Sequence, residues 1–174
     1  MKVKLNFRAA ALAVACLLLA AVQISAQVQC LQDAWKSYNA GVSARSSSNN
    51  KAATASFEAA VQACNICITQ FEAQAKAQQA ALKKCPPVGA VSEADKKAIF
   101  ANWALNDVAT AAFVKGKAAE FLVGIDATKH KARSGDLQAA KKLVKELSYG
   151  RCWDPQGWFW SPCKALAGDG ACCP

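Results

Sequence analysis

Asn50–Cys85, NKAATASFEAAVQACNICITQFEAQAKAQQAALKKC, is the stretch whose reading decides the fold. Phe57, Val61, Cys64, Ile68, Phe71, Ala75 and Leu82 recur at spacings of three and four, interrupted only by Gln78. That seam belongs to a helix packed lengthwise against a neighbour. Alanine and glutamine give it high helix propensity. Neither Gly nor Pro occurs before Pro86-Pro87, which ends it. One long helix is therefore expected, with two cysteines near its middle and a third at its end.

Upstream, Leu31, Trp35, Tyr38 and Val42 define one face of a helix over about Gln29–Arg45. Ser46-Ser47-Ser48-Asn49-Asn50 breaks it, because these side chains compete for backbone hydrogen bonds. Downstream, Ser92-Glu93-Ala94-Asp95 opens a third helix over about Ser92–Val114. Gly116 predicts a break before a fourth helix, Lys117–Arg133, and Ser134-Gly135-Asp136 predicts a turn before a fifth, Leu137–Ser148. No run alternates with period two, so no sheet is expected. The expected fold is all-α, with about five helices in antiparallel hairpins over residues 27–149 and an irregular disulfide-bonded tail over 150–174.

The N-terminus reads as a secretory signal peptide over residues 1–26. Lys2, Lys4 and Arg8 precede the uncharged apolar run Ala9–Val22, and Ile24-Ser25-Ala26 ends small. The run is short for a membrane span, which needs about 20 residues. No later segment is apolar enough to span. The expected location is secreted or periplasmic. Removal of the leader takes Cys16 with it and leaves Cys30, Cys64, Cys67, Cys85, Cys152, Cys163, Cys172 and Cys173. An even count in an exported chain points to disulfides. It also removes three of the 21 Lys and Arg and none of the 12 Asp and Glu, leaving a formal charge of +6.

Helix geometry constrains the pairing. Cys64 and Cys67 stand at i and i+3, with Cβ atoms about 5–6 Å apart. A disulfide wants about 3.5–4.5 Å. Each is therefore expected to bond outward, as a structural half-cystine and not as a redox dithiol at a helix N-terminus. An antiparallel hairpin turning near Ser48 brings Cys30 level with Cys64 and Cys67, so Cys30 is expected to bond to one of them. That bridge closes a loop of ~38 residues, worth about 3–4 kcal/mol in the chain-entropy account. The other member and Cys85 are left for the tail. Cys152 and Cys163 are expected to close the tail locally, with Cys172-Cys173 tying its end to the long helix. The second cysteine pair lacks zinc-finger spacing and His130 is the sole histidine, so no metal, cofactor or catalytic site is expected. Asp154 and Asp169 have no evident partner acid.

Two regions are candidates for binding. Trp153, Trp158, Phe159 and Trp160 crowd the segment between Cys152 and Cys163, either as a lid on the helical core or as a surface that stacks on sugars or a partner. The run Lys115–Arg151 holds nine Lys and Arg against four acids. Lys129, Lys131, Arg133, Lys141 and Lys142 are its candidates for an anionic envelope surface or glycan, or for a solvated face. Export makes nucleic acid the least suitable of these partners.

Ala40-Gly41 and Ala44 fall at the two small positions in the first helix of a tetratricopeptide repeat, and Ala53, Phe57 and Ala60 at the small, aromatic and small positions in its second. Lys36–Val61 thus resembles one. Asn102–Leu147 is a looser echo through Val108-Ala109, Ala112 and Gly116, then Gly135, Ala140, Val144 and Leu147. Gly41 and Ala109 stand 68 residues apart, twice the repeat length. The resemblance implies tetratricopeptide-like helical hairpins and a non-catalytic role in binding a protein or peptide partner. The expected function is an exported scaffold or adaptor of that kind. A cationic glycan- or envelope-binding protein and a thiol–disulfide oxidoreductase are the alternatives.

Overall fold

The computed structural model describes residues 29–125 and 130–173. The leader with Cys16, and Lys129, lie outside the described residues. The fold is all-α in class. Helix α1 covers residues 29–46, α2 Asn50–Ala81, α3 Glu93–Ala101, α4 Trp103–Ile125, α5 His130–Glu146 and α6 Pro162–Ala167. No described helix is long and apolar enough to cross a membrane.

The α1–α2 turn is closed by local chemistry. Asn49 N–H donates to Ala44 O and Ser48 N–H to Arg45 O, both at 2.9 Å. This is a Schellman closure with Ser48, at φ 57°, in the place glycine usually takes. The Asn49 side chain then caps α2 by accepting from Ala52 N–H. The hairpin is tight because Gly41 has no side chain. A Cβ there would stand 2.7 Å from the Phe57 ring. Cys30–Cys67 staples the open end, with Cα atoms 5.7 Å apart, as the hairpin register requires.

Helix α4 is the centre of the molecule. It packs on α2, α5 and α6, and small or branched residues are buried around its whole circumference, from Ala104 and Leu105 to Ala119 and Leu122. It runs straight through Gly116, where a break was expected. The glycine is a packing residue, since a Cβ would stand 2.5 Å from Leu166 Cδ2 on α6. The break falls instead at Asn102, whose side chain donates to Ala98 O while its carbonyl accepts from Asn106 N–H. Gln78, the interruption in the α2 seam, accepts from Leu105 N–H at 2.8 Å and so satisfies one of the N–H groups that the first turn of α4 leaves without an intrahelical acceptor. Its neighbour Gln79 accepts from Tyr149 N–H just beyond α5. The α2 helix stops at Ala81, short of Cys85. Helix α5 continues through Ser134-Gly135-Asp136, where a turn was expected. There Asp136 is held by Arg133 and by Lys115 of α4.

The tail is more ordered than its composition implied. Asp154-Pro155-Gln156-Gly157 forms a tight turn, with Gly157 N–H donating to Asp154 O and Gly157 at φ 88°. It joins β2, Cys152–Trp153, to β3, Trp158–Trp160, and β1, Gly89–Ala90, pairs antiparallel on the other side of β3. A three-stranded sheet thus stands where none was expected. Its strands are two or three residues long, too short to give a period-two signal.

Cys85 bonds to Cys173, which ties the end of the tail back to the end of the long-helix segment as expected. The local tail bridge differs from expectation, since Cys163 bonds to Cys172 and not to Cys152; both bridges have Cα atoms 5.9 Å apart. Cys64 and Cys152 are free thiols. Cys64 is fully buried in the hydrophobic core. Cys152 is taken up by the sheet opposite Trp160, which removes it from Cys163.

Candidate functional site

One face of α4 carries Trp103, Asn106, Asp107 and Thr110 at helical spacing. Around that face other elements leave an open cleft of about 330 Å³. Leu31 and Trp35 of α1 form one wall, and Phe100 of α3 another. Cys152, Trp153 and Phe159 of the hairpin form a third. A second hollow, about 400 Å³, adjoins it and is lined by Leu31, Gln32, Trp35 and Asp107. Leu31, Trp35 and Asp107 therefore border both.

The cleft holds its shape through buried polar contacts. Asn106 donates to Ile99 O at 2.7 Å and accepts from Arg151 N–H at 2.9 Å, locking α3, α4 and the tail together. Thr110 donates to Asn106 O. Arg151 is only 2 % exposed, and its guanidinium donates to the carbonyls of Pro86, Pro87, Ser148 and Gly150. It also reaches the sulfurs of Cys85 and Cys173. All five of its N–H groups are thereby engaged. Burial lowers its pKa to about 10, so it stays charged at neutral pH.

Burial raises the Asp107 carboxyl to about 6. It raises the Cys152 thiol to about 11, with the Asp107 and Asp154 charges adding and a Thr110 hydrogen bond opposing. Cys64, fully buried, rises to about 12 for the same leading reason. Both thiols are protonated at neutral pH and so are poor nucleophiles. Among the described residues no group of three His, Cys, Asp or Glu could hold a metal ion.

The tail aromatics divide by burial. Trp153 is 39 % exposed and Trp158 52 %. Phe159 is 2 % exposed and packs beneath Trp153 and Phe100. Trp160 stands edge-on to Phe113 of α4. The segment is thus part lid, through Phe159 and Trp160, and part surface, through Trp153 and Trp158. With Val88 and Phe100, the two exposed tryptophans form most of the exposed large apolar side chains, gathered around the sheet.

The basic run is laced with acids. Arg133 pairs with Asp136 and Glu58, Lys115 with Asp136, Lys117 with Glu120, and Lys142 with Glu146. Lys131 is exposed and Lys141 half-exposed. Lys76 of α2 joins Glu72 and Glu146 across the α2–α5 groove.

No protein-family model, curated protein or solved structure matches the chain. The site is therefore argued from its own geometry. Asp107, Trp103 and Trp35 are its residues that sequence reasoning did not single out for binding. The available signal was a lone acid one turn after a tryptophan in an otherwise alanine-rich helix.

Proposed function

We propose that this chain is an exported, disulfide-stapled helical binding protein, and that it seats a segment of a peptide or protein partner in the cleft above α4. The observation that carries this reading is the cleft itself. Aromatic side chains from α1, α3, α4 and the hairpin surround one half-buried carboxylate and remain open to solvent. Concave, largely aromatic sites with few polar groups are the usual form of recognition pockets. Three disulfides suit an oxidising compartment, which supports export. The close approach of Gly41 to Phe57 supports a tetratricopeptide-like α1–α2 hairpin.

Two other readings are weaker. The oxidoreductase reading needs a free dithiol, whereas Cys67 is bonded to Cys30 and Cys64 is buried. Envelope or glycan binding draws on the basic run, much of which is internally ion-paired, although exposed Trp158 and Val88 favour some contact beside the sheet.

The test is selection of peptides from a random display library on the full oxidised chain. Binding of the selected peptides is then measured to Phe100→Ala and Trp153→Ser, rim changes that leave the core intact. Loss of binding with an unchanged unfolding midpoint supports the cleft. Peptides that bind both variants as well as the parent exclude it.

A further inference from the structure

The register of the tail hairpin fixes which way its backbone groups point. Asp154 N–H donates to Trp158 O at 2.7 Å, and Cys152 stands opposite Trp160. In an antiparallel ladder, hydrogen-bonded pairs alternate with unbonded ones. Asp154 with Trp158 and Cys152 with Trp160 are the bonded pairs, so Trp153, opposite Phe159, makes no ladder bond to β3. Its N–H and C=O face the open edge of β2. Arg151, two residues earlier, presents its N–H on the same edge, where it donates to the side-chain oxygen of Asn106 on α4 at 2.9 Å. Asn106, Arg151, Cys152 and Trp153 all line the cleft. The β2 edge therefore leaves α4 at Arg151 and opens into the cleft at Trp153. Among the described residues nothing accepts from Trp153 N–H, and its carbonyl receives the Cys152 thiol at 4.0 Å, which leaves it a second lone pair.

We infer that the partner segment enters the cleft in extended form and adds a strand to the β2 edge at Trp153. This rests on the peptide-binding reading above and names the conformation of the bound segment. The segment supplies one C=O to Trp153 N–H and one N–H to Trp153 O. Open strand edges take an added strand in this way. A helical segment does not fit, because its backbone groups are already bonded within the helix.

Strand geometry also sets the side chain that is read. The residue opposite Trp153 places its side chain on the sheet face that carries Trp153 and Phe159. The centroids of those two rings are 4.8 Å apart, and the Phe100 ring stands 5.9 Å from the first and 5.5 Å from the second. An apolar side chain there extends this cluster, while its two neighbours point to the other face. The recognised segment carries an apolar residue at that position and no proline where the N–H is used.

The experiment uses peptides selected on the full oxidised chain, with two readouts. Each backbone amide of a selected peptide is replaced in turn by an ester, which removes one N–H and keeps every side chain, and affinity is measured by calorimetry. Binding is expected to weaken about tenfold at one amide and little at the amides beside it. Amide hydrogen exchange of the chain is then followed by NMR with and without the peptide. The Trp153 amide is expected to slow about tenfold or more, and the amide of Ala90, on the opposite edge of the sheet, to keep its rate. An unchanged Trp153 rate in the complex overturns the inference, and so does protection of Ala90 in its place. Peptides that need Phe100 and Trp153 but tolerate every ester overturn it while leaving the peptide-binding reading intact. A selection that yields no rim-dependent peptide overturns both.

Discussion

The Arg151 guanidinium donates to the Pro86 carbonyl at 2.6 Å, 65 residues away in the chain. Through this contact and those to Pro87, Ser148 and Gly150, one buried cation holds the α2–α3 linker, the end of α5 and the start of the tail in register. The carbonyls beyond the end of α5 suit a cation. Arg151→Ala leaves several buried acceptors without a donor. We expect a loss of about 3 kcal/mol or more, and an unfolding midpoint lower by roughly 10 °C in a thermal scan.

Asp107 is expected to be destabilising at neutral pH. The folded chain holds a proton on this carboxyl between about pH 4 and 6 that the unfolded chain has already lost. Its contribution to stability therefore falls as pH rises through that window. Asp107→Asn should stabilise the fold by about 2–3 kcal/mol at pH 7.5 and by little at pH 4. Urea unfolding of both chains across this range reads the difference directly.

The cysteines give a sharp chemical count. Peptide mapping without reduction should find Cys30–Cys67, Cys85–Cys173 and Cys163–Cys172, with thiols at Cys64 and Cys152. In the native state at pH 8, Cys152 should alkylate about a hundredfold more slowly than a free cysteine, speeding up about tenfold per pH unit until near pH 10. Cys64 should label only on unfolding.

Gln78→Ala should cost about 1 kcal/mol, because the Leu105 N–H at the start of α4 loses its acceptor. Gln79→Ala should cost a similar amount through Tyr149 N–H. Denaturant midpoints of the two variants test this, and the parent's denaturant slope should be kept.

The α1–α2 hairpin was legible because its information is local. Apolar spacing gave the two faces, the Ser-Asn run gave the turn, and the resulting register brought Cys30 level with Cys64 and Cys67, of which Cys67 is the partner. Gly116 was misread because its reason is Leu166, 50 residues on, and not the backbone. Arg151 looked like one more surface base, since its partners are carbonyls that carry no residue signature. The hairpin turn Asp154-Pro155-Gln156-Gly157 was written in the sequence, but strands of two and three residues show no alternation. Asp107 stayed hidden because the cleft is assembled from α1, far upstream, and from a hairpin far downstream.

The five tryptophans, Trp35, Trp103, Trp153, Trp158 and Trp160, make the cleft directly observable. Titration of the ¹⁵N-labelled chain with a selected peptide should move the indole N–H signals of Trp35, Trp103 and Trp153. The signal of Trp158, on the outer side of the sheet, should stay in place. Movement confined to Trp158, or to the backbone of the Lys131–Lys145 face, would contradict the cleft as the binding site.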